Sequence, residues 1–225
     1  SSTGKAYIFT KSSTGNPWQE QAKIQGSGAL STGNQEFGYS VDMSTDGNTI
    51  ALGSRDDTGG GNRGAAFIFT RTGSTWIEQA KIENANEADY DLFAGGGRGV
   101  SLSGTGNTLV VGAYGDDDNG SQSGSTFVFT RTGTTWSQAK QIATSDAAAN
   151  DENGFAVAID KNGDTLLTGS YAKNSSTGAT YVWTAPLAVQ LQDTLTLEAG
   201  SGITLTNTSG TDTITITSSG NDSAT

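Results

Sequence analysis

Residues 4–10 read GKAYIFT, and three later stretches repeat this phrase: GAAFIFT at 64–70, GSTFVFT at 124–130 and GATYVWT at 178–184. The first glycines stand at positions 4, 64, 124 and 178, so the spacing is 60, 60 and 54 residues. A fixed period of this length is typical of repeat architectures in which each repeat forms one supersecondary unit. The fold is therefore decided by what a single repeat can form.

Three more phrases recur between these stretches in a constant order. Their first occurrences are WQEQAKI at 18–24, FGYSVDMS at 37–44 with the turn DGNT at 46–49, and IALG at 50–53. A Gly beside Asn or Asp favours a tight hairpin, because these residues tolerate positive φ. Each repeat thus predicts four short strands and no helix. The predicted fold class is all-β, with propeller-type four-stranded antiparallel blades in about three repeats of ~60 residues.

The order of strands within a blade and the number of blades are less constrained by the sequence. We expect the small apolar strand at 50–53 to lie innermost and the Trp phrase to be peripheral. Three full repeats plus one leading strand give fewer blades than the four or more of most closed propellers. Three alternatives therefore stay open: the missing blades precede residue 1, come from other chains, or are replaced by another assembly. Closure of a blade by strand exchange, with the strand at 4–10, is a further alternative.

The sequence changes character after Pro186. Residues 194–198, 202–206 and 212–217 alternate apolar with polar side chains, which predicts a three-stranded β meander with one apolar face. This face is too small to hold an isolated sheet in water, so it needs a partner surface. We divide the chain into the blades at 1–184 and a C-terminal fibre-like β segment at 185–225.

The order of these phrases resembles the FG-GAP repeats of integrin-α-like β-propellers over about residues 1–184. The resemblance is carried by Phe37-Gly38, by the turn at 46–49, and by GAYGDDDNG at 112–120 before the strand phrase at 124–130. The second repeat departs from it with FAGGG at 93–97, and the third has Asn153-Gly154. The C-terminal segment resembles strands of bacteriophage tail fibres, which implies a homotrimer.

Composition excludes several classes of function. The chain has 225 residues, a formal net charge of −11, no Cys and no His. This charge has the wrong sign for binding a phosphate backbone, so no nucleic acid is expected. Thiolate chemistry and His-based catalysis are impossible, and the lack of an apolar run of about 18 residues predicts no membrane insertion.

The loop at 116–120 is the sharpest candidate site. Asp116 and Asp118 are candidate metal ligands, because Ca²⁺ prefers clustered oxygens on a Gly-containing loop and many integrin-like repeats bind it. Asp56 and Asp57 occupy the corresponding place one repeat earlier. The pattern does not complete an Asp-x-Asp-x-Asp-Gly set, so a plain polar loop remains the alternative, and no cofactor is required.

Aromatic and acidic residues suggest two other kinds of site. Tyr114 and Tyr171 follow the apolar strands and are candidate ligand-binding residues on a loop face. The Trp residues at the repeat period are best interpreted as packing anchors. Carboxylates near one another are the minimum for glycoside hydrolysis, but such pairs are expected by chance in so acidic a chain. These pairs are Asp89 with Asp91 and Asp151 with Glu152.

We therefore expect a non-enzymatic structural or attachment protein of a phage fibre or another extracellular appendage, located on a virion or extracellular surface. Its expected partners are copies of itself, with a trimer favoured, other virion or surface proteins, and a host-surface glycan. A secreted bacterial FG-GAP adhesion or calcium-binding module is the first alternative. A polysaccharide depolymerase is the second.

Overall fold

The computed structural model describes residues 4–27, 36–55, 61–84 and 88–184, and the backbone of residues 203–207 and 214–218. Its strands are β1 Ala6–Thr10, β2 Gln19–Ile24, β3 Phe37–Met43, β4 Thr49–Ser54, β5 Ala65–Thr72, β6 Thr75–Ile82, β7 Val100–Leu102, β8 Thr108–Ala113, β9 Ser125–Thr132, β10 Thr135–Ile142, β11 Asn153–Ile159, β12 Thr165–Ser170, β13 Ala179–Thr184, β14 Ile203–Asn207 and β15 Ile214–Ser218. A single turn, α1 Lys173–Ser176, precedes β13. The first thirteen strands fall on the repeated phrases, so the all-β, blade-type fold is confirmed.

These thirteen strands form four sheets. The first sheet contains β1 and β2, the second β3-β4-β5-β6, the third β7-β8-β9-β10, and the fourth β11-β12-β13. Neighbouring strands in the two complete sheets are antiparallel. The count of three full repeats plus one leading strand is confirmed by these thirteen strands. Two of the sheets have four strands, and within the described residues the first sheet contains the third and fourth strands of a blade and the fourth sheet contains the first three.

The order of the strands within each sheet shows that the small apolar strand is not innermost, so that expectation was wrong. The apolar strand β4 lies second, between β3 and β5, and the Phe-Gly strand β3 forms the edge. The first strands of successive sheets are joined to each other, since Asp42 Oδ2 accepts the N–H of Leu102 at 2.7 Å and Ser101 Oγ accepts the N–H of Ile159 at 3.2 Å. A strand buried on both faces and hydrogen-bonded at both edges carries small apolar residues, which is why β4 resembled an innermost strand.

The glycine that opens each repeated strand phrase sets the spacing between sheets. A Cβ on Gly64 would lie 1.9 Å from the carbonyl oxygen of Phe93, and one on Gly124 would lie 2.1 Å from that of Asn153. Both glycines have positive φ. Gly124 contacts the first strand of the next sheet, β11, and Gly64 contacts Phe93 in the segment that precedes β7. Only Gly permits this backbone-to-backbone approach, so the repeat keeps it.

Aromatic side chains fill the space between successive sheets. Phe37 packs edge-on against Phe67 at 5.3 Å between ring centroids, and Phe93 packs in the same way against Phe127 at 5.5 Å. In the fourth sheet Asn153 takes the place of the Phe, and its amide is held by buried hydroxyl groups. These are Thr126 and Thr168, which donate to its oxygen, and Ser170, which accepts from its nitrogen.

Two of the Trp residues act as anchors between sheets. Trp76 Nε1 donates to Gln21 Oε1 at 3.1 Å, and Trp136 Nε1 donates to Gln79 Oε1 at 3.0 Å, so each indole binds the fourth strand of the preceding sheet. Trp18, at the equivalent position in the first sheet, is exposed and lies under Lys11.

The chain divides into two compact units, Ser1–Trp183 and Thr184–Thr225. In the second unit β14 and β15 pair antiparallel, with Ile203 opposite Ser218 and Asn207 opposite Ile214. The expected strand at 194–198 lies outside the described residues, so the meander is seen only as this pair of strands.

Candidate functional site

Two sets of residues lie at one end of the sheets. The first set follows the second strand of a sheet, and the second set lies near the start of the first strand. Arg55, Tyr114 and Tyr171 occupy equivalent positions after β4, β8 and β12, while Tyr39 and Phe155 lie near the starts of β3 and β11. Because antiparallel neighbours bring the end of one strand beside the start of the other, these side chains share one face.

At this face the two Tyr residues predicted from sequence are brought together through Phe155. Tyr114 meets Phe155 with 5.3 Å between ring centroids and an interplanar angle of 71°. Phe155 meets Tyr171 at 4.5 Å and 56°. We call Tyr114, Phe155 and Tyr171 the aromatic cluster. Tyr171 is exposed, whereas the other two rings are half-buried.

Charged groups surround the aromatic cluster. Arg55 lies 5.9 Å from the ring of Tyr39, and its Nη1 is 3.5 Å from Glu36 Oε2. Burial raises the pKa of the Tyr114 hydroxyl, although the charge of Arg55 acts in the opposite direction. A hydrogen bond to Glu152 raises the pKa of Tyr171. The site therefore offers flat apolar rings beside both a cation and carboxylates.

The two predicted metal ligands accept hydrogen bonds from different groups of the protein. Asp116 is buried, and its Oδ1 accepts hydrogen bonds from Ser125 Oγ at 2.9 Å and from the N–H of Asp118 at 3.2 Å. Asp118 Oδ2 instead accepts from Gln141 Nε2 at 2.9 Å. Within the described part of the chain, no group of three acidic side chains could hold a metal ion, and Asp56 and Asp57 lie outside it. The donor set does not fit the Ca²⁺ that the family implies.

Burial favours the protonated form of the Asp116 carboxyl. Desolvation raises the pKa of its carboxyl from 3.8 to about 6, and the charges of Asp118 and Asp91 act in the same direction. The hydrogen bond from Ser125 opposes this increase.

At the equivalent position of the next repeat, Lys173 replaces the acid. Its Nζ lies 2.7 Å from Asp151 Oδ2, and both side chains are buried. The Asp151 hydrogen bond raises the pKa of Lys173 to about 12, although burial opposes the rise. Lys173 also donates to the carbonyl oxygen of Asp146, and Tyr181 donates to Asp146 Oδ1 at 2.7 Å.

The acidic pairs considered for glycoside hydrolysis have structural partners. Asp151 is bound to Lys173, and Asp89 forms an ion pair with Arg63 at 2.8 Å. Asp91 is buried and accepts the backbone N–H of Ala88 at 2.7 Å. Each of these carboxylates fixes a loop.

Sequence reasoning missed Phe155, Arg55 and the role of Lys173. Phe155 could have been found, because it follows Asn153-Gly154 in the same way that Tyr39 follows Phe37-Gly38. Lys173 could have been found by aligning GAYGD at 112–116 with GSYAK at 169–173, which puts a base where the earlier repeat has an acid.

No helix in the described residues is both long and apolar enough to cross a membrane. No curated protein matches the chain. Residues 18–69, 76–129 and 136–183 each match the FG-GAP repeat, and each match runs from a Trp phrase to the third strand of the following sheet. Repeats of this family are typical of extracellular adhesion-type modules, and with three matches over more than half of its length this chain belongs to the FG-GAP repeat family.

Proposed function

We propose that this chain is a non-enzymatic attachment module of an extracellular appendage, a phage tail fibre in the first instance, and that it binds a host-surface carbohydrate at the aromatic cluster. The observation that carries the proposal is the aromatic cluster, in which Phe155 packs edge-on against Tyr114 and tilted against Tyr171, beside the charges of Arg55 and Glu152.

The chemistry of a sugar matches this arrangement. The C–H face of a pyranose ring is apolar and flat, so it packs on an aromatic ring, while its hydroxyl groups need donors and acceptors at the rim. Tyr hydroxyls, a guanidinium and a carboxylate supply both kinds of partner. A rigid β scaffold that presents loops at one end is a common way to hold such a site.

A catalytic role is not part of the proposal. Three of the four carboxylates in these pairs, Asp151, Asp89 and Asp91, are held by Lys173, Arg63 and a backbone N–H group, so neither pair has two uncommitted carboxylates. Release of reducing ends from a bound polysaccharide by the wild-type chain would contradict the non-enzymatic assignment.

The test is binding of the full chain to an array of bacterial surface polysaccharides, followed by calorimetry on the strongest binder. We expect Tyr114→Ala and Tyr171→Ala each to weaken binding about tenfold or more, a loss typical of removing a stacked aromatic ring at a binding hot spot. Trp18→Ala is the matched control, because Trp18 is an exposed aromatic residue on the Trp strand of the first sheet. The absence of any binder, or equal losses in all three variants, would overturn the proposal.

A further inference from the structure

Equivalent side chains from three successive sheets occupy successive places along the face that carries the aromatic cluster. Each of the second, third and fourth sheets contributes one residue near the start of its first strand and one that follows its second strand. We call this set the face row. Its members are Tyr39 and Arg55, Arg98 and Tyr114, and Phe155 and Tyr171.

Arg98 holds the position in the third sheet that Phe155 holds in the fourth. Gly112 N donates to the carbonyl oxygen of Gly99, the residue after Arg98, at 2.9 Å. Gly169, the equivalent of Gly112, pairs with the residue after Phe155 in the fourth sheet. The backbone register therefore places Arg98 in the face row, although the turn before it is longer than in the other repeats.

The two arginines of the face row are neighbours at one gap between sheets. Phe155 meets Tyr114 across the gap between the third and fourth sheets, with 5.3 Å between ring centroids. Arg98 and Arg55 hold the equivalent positions at the gap between the second and third sheets. A pair of guanidinium groups thus lies between the ring of Tyr39 and the aromatic cluster.

The glycine-rich segment at 95–97 connects the arginines to the aromatic cluster. A Cβ on Gly95 would lie 3.1 Å from Arg55 Cγ, and one on Gly96 would lie 2.1 Å from the carbonyl oxygen of Phe155. Glycine is the residue that permits such a close approach of the backbone to its neighbours. The departure of the second repeat from the family pattern therefore provides a surface of bare backbone between the guanidinium groups and the rings.

Both guanidinium groups keep donors that protein groups do not use. Arg98 is exposed and forms no ion pair within the described part of the chain. Arg55 Nη1 is 3.5 Å from Glu36 Oε2, which is longer than a hydrogen bond, and Arg55 Nε has no hydrogen-bond partner among the described residues. Glu36 offsets the charge of Arg55 alone. Two like charges at one gap repel each other, so an anion bound between them would stabilise both.

We propose that the carbohydrate bound at the aromatic cluster is an acidic polysaccharide, and that Arg55 and Arg98 bind a carboxylate of one of its sugar units. This inference rests on the proposed carbohydrate binding and adds the class of sugar. A guanidinium donates two parallel N–H bonds to a planar carboxylate. The rings on either side of the arginines pack against the apolar faces of adjoining sugar units.

The test compares polymers that differ only in the carboxylate. Hyaluronan, alginate and polysialic acid are each paired with a carboxyl-reduced form, in which a primary alcohol replaces the carboxylate, and binding to the full chain is measured by calorimetry. We expect at least one native polymer to bind, and its reduced form to bind about tenfold or more weakly, the loss of a hydrogen bond to a charged group. Dextran sulfate and polyphosphate show whether other anions bind equally well.

Variants of the two arginines test which groups recognise the carboxylate. Arg55→Gln and Arg98→Gln should each lower the preference for the native polymer over its reduced form about tenfold, and Arg98→Lys should retain part of it, because Lys keeps the charge but not the paired donors. Lys140→Gln is the matched control, since it removes the same charge from an exposed residue of the outer strand β10. Thermal melting checks that each variant remains folded.

Equal binding of native and reduced polymers would overturn the inference. Stronger binding of dextran sulfate or polyphosphate would also overturn it, as would a preference for the native polymer that both Arg→Gln variants leave intact. In these cases, binding that Tyr171→Ala weakens would leave the proposed function standing. The absence of binding to acidic and neutral polysaccharides alike would overturn both.

Discussion

Asp116 is a buried carboxyl whose folded environment favours its protonated form. Burial raises its pKa from 3.8 to about 6, so between about pH 4 and pH 6 the folded chain holds a proton that the unfolded chain has lost. The free energy of unfolding therefore falls as pH rises through this window and stays low above it.

We predict that Asp116→Asn stabilises the protein at pH 7.5 by about 1 to 3 kcal/mol, the free energy of a shift of this size. Asn keeps an acceptor for Ser125 Oγ and cannot ionise. Urea denaturation at pH 4.5 and pH 7.5 would measure the effect, with Asp117→Asn at the neighbouring exposed carboxylate as control. A loss of stability at pH 7.5 in the Asp116 variant would show that its charge is needed in the fold.

Lys173 and Asp151 form the buried ion pair at the corresponding place in the next repeat. Removing one member of such a pair leaves the other charge buried and uncompensated, which costs about 3 to 5 kcal/mol. We predict that Lys173→Met lowers the free energy of unfolding by this amount and that adding Asp151→Leu restores part of it. Chemical denaturation of the single and double variants would measure both. A Lys173→Met protein of unchanged stability would mean that Asp151 finds another partner.

At the scale of the blade, the spacing between sheets depends on glycines that contact the next sheet. Gly124 and Gly133 both have positive φ, 75° and 63°, but only Gly124 is crowded. A Cβ on Gly124 would overlap Asn153 O, while one on Gly133 would have no atom within 4 Å.

We predict that Gly124→Ala costs about 3 kcal/mol or more, since the third and fourth sheets must move apart. Gly133→Ala should cost only about 1 to 2 kcal/mol, the strain of a left-handed backbone with a Cβ. Urea denaturation of the two variants would separate the effects. Equal losses would mean that backbone strain alone explains both.

The strand pattern of each blade could be predicted from sequence, because hairpin turns and alternating phrases are local features. The strand order could not: β4 is buried from both faces and both edges, and its small side chains do not distinguish a second strand from an innermost one. The aromatic cluster was predicted in part. Tyr114 and Tyr171 stand in one repeated phrase, but Phe155 comes from another phrase, meets Tyr171 within the fourth sheet and meets Tyr114 across the gap to the third sheet.

At the scale of the whole molecule, the described cores of the blades lie within the first unit. Three clusters of buried side chains lie between successive sheets, and each draws its members from residues before 184. We predict that a chain ending at Thr184 melts within a few degrees of the full chain, as measured by circular dichroism. A collapse of the melting temperature on truncation would show that the segment at 185–225 supports the blades.

The mass of the same truncated chain separates two expectations about assembly. If the full chain associates and the truncated chain keeps the same number of copies, the blades carry the assembly. If a trimer is found and is lost on truncation, the C-terminal strands carry it, as the fibre resemblance implies.

The contacts between sheets have a further consequence for how such a chain changes over evolutionary time. The hydrogen bond from Trp to Gln and the close backbone contact of the glycine each join the same two positions in successive repeats. A tandem duplication of one repeat, in frame, would therefore insert a sheet whose two faces already match its neighbours. Unequal recombination can thus change the number of repeats without compensating substitutions elsewhere in the chain. We expect the lengths of genes of this type to differ by whole multiples of the repeat.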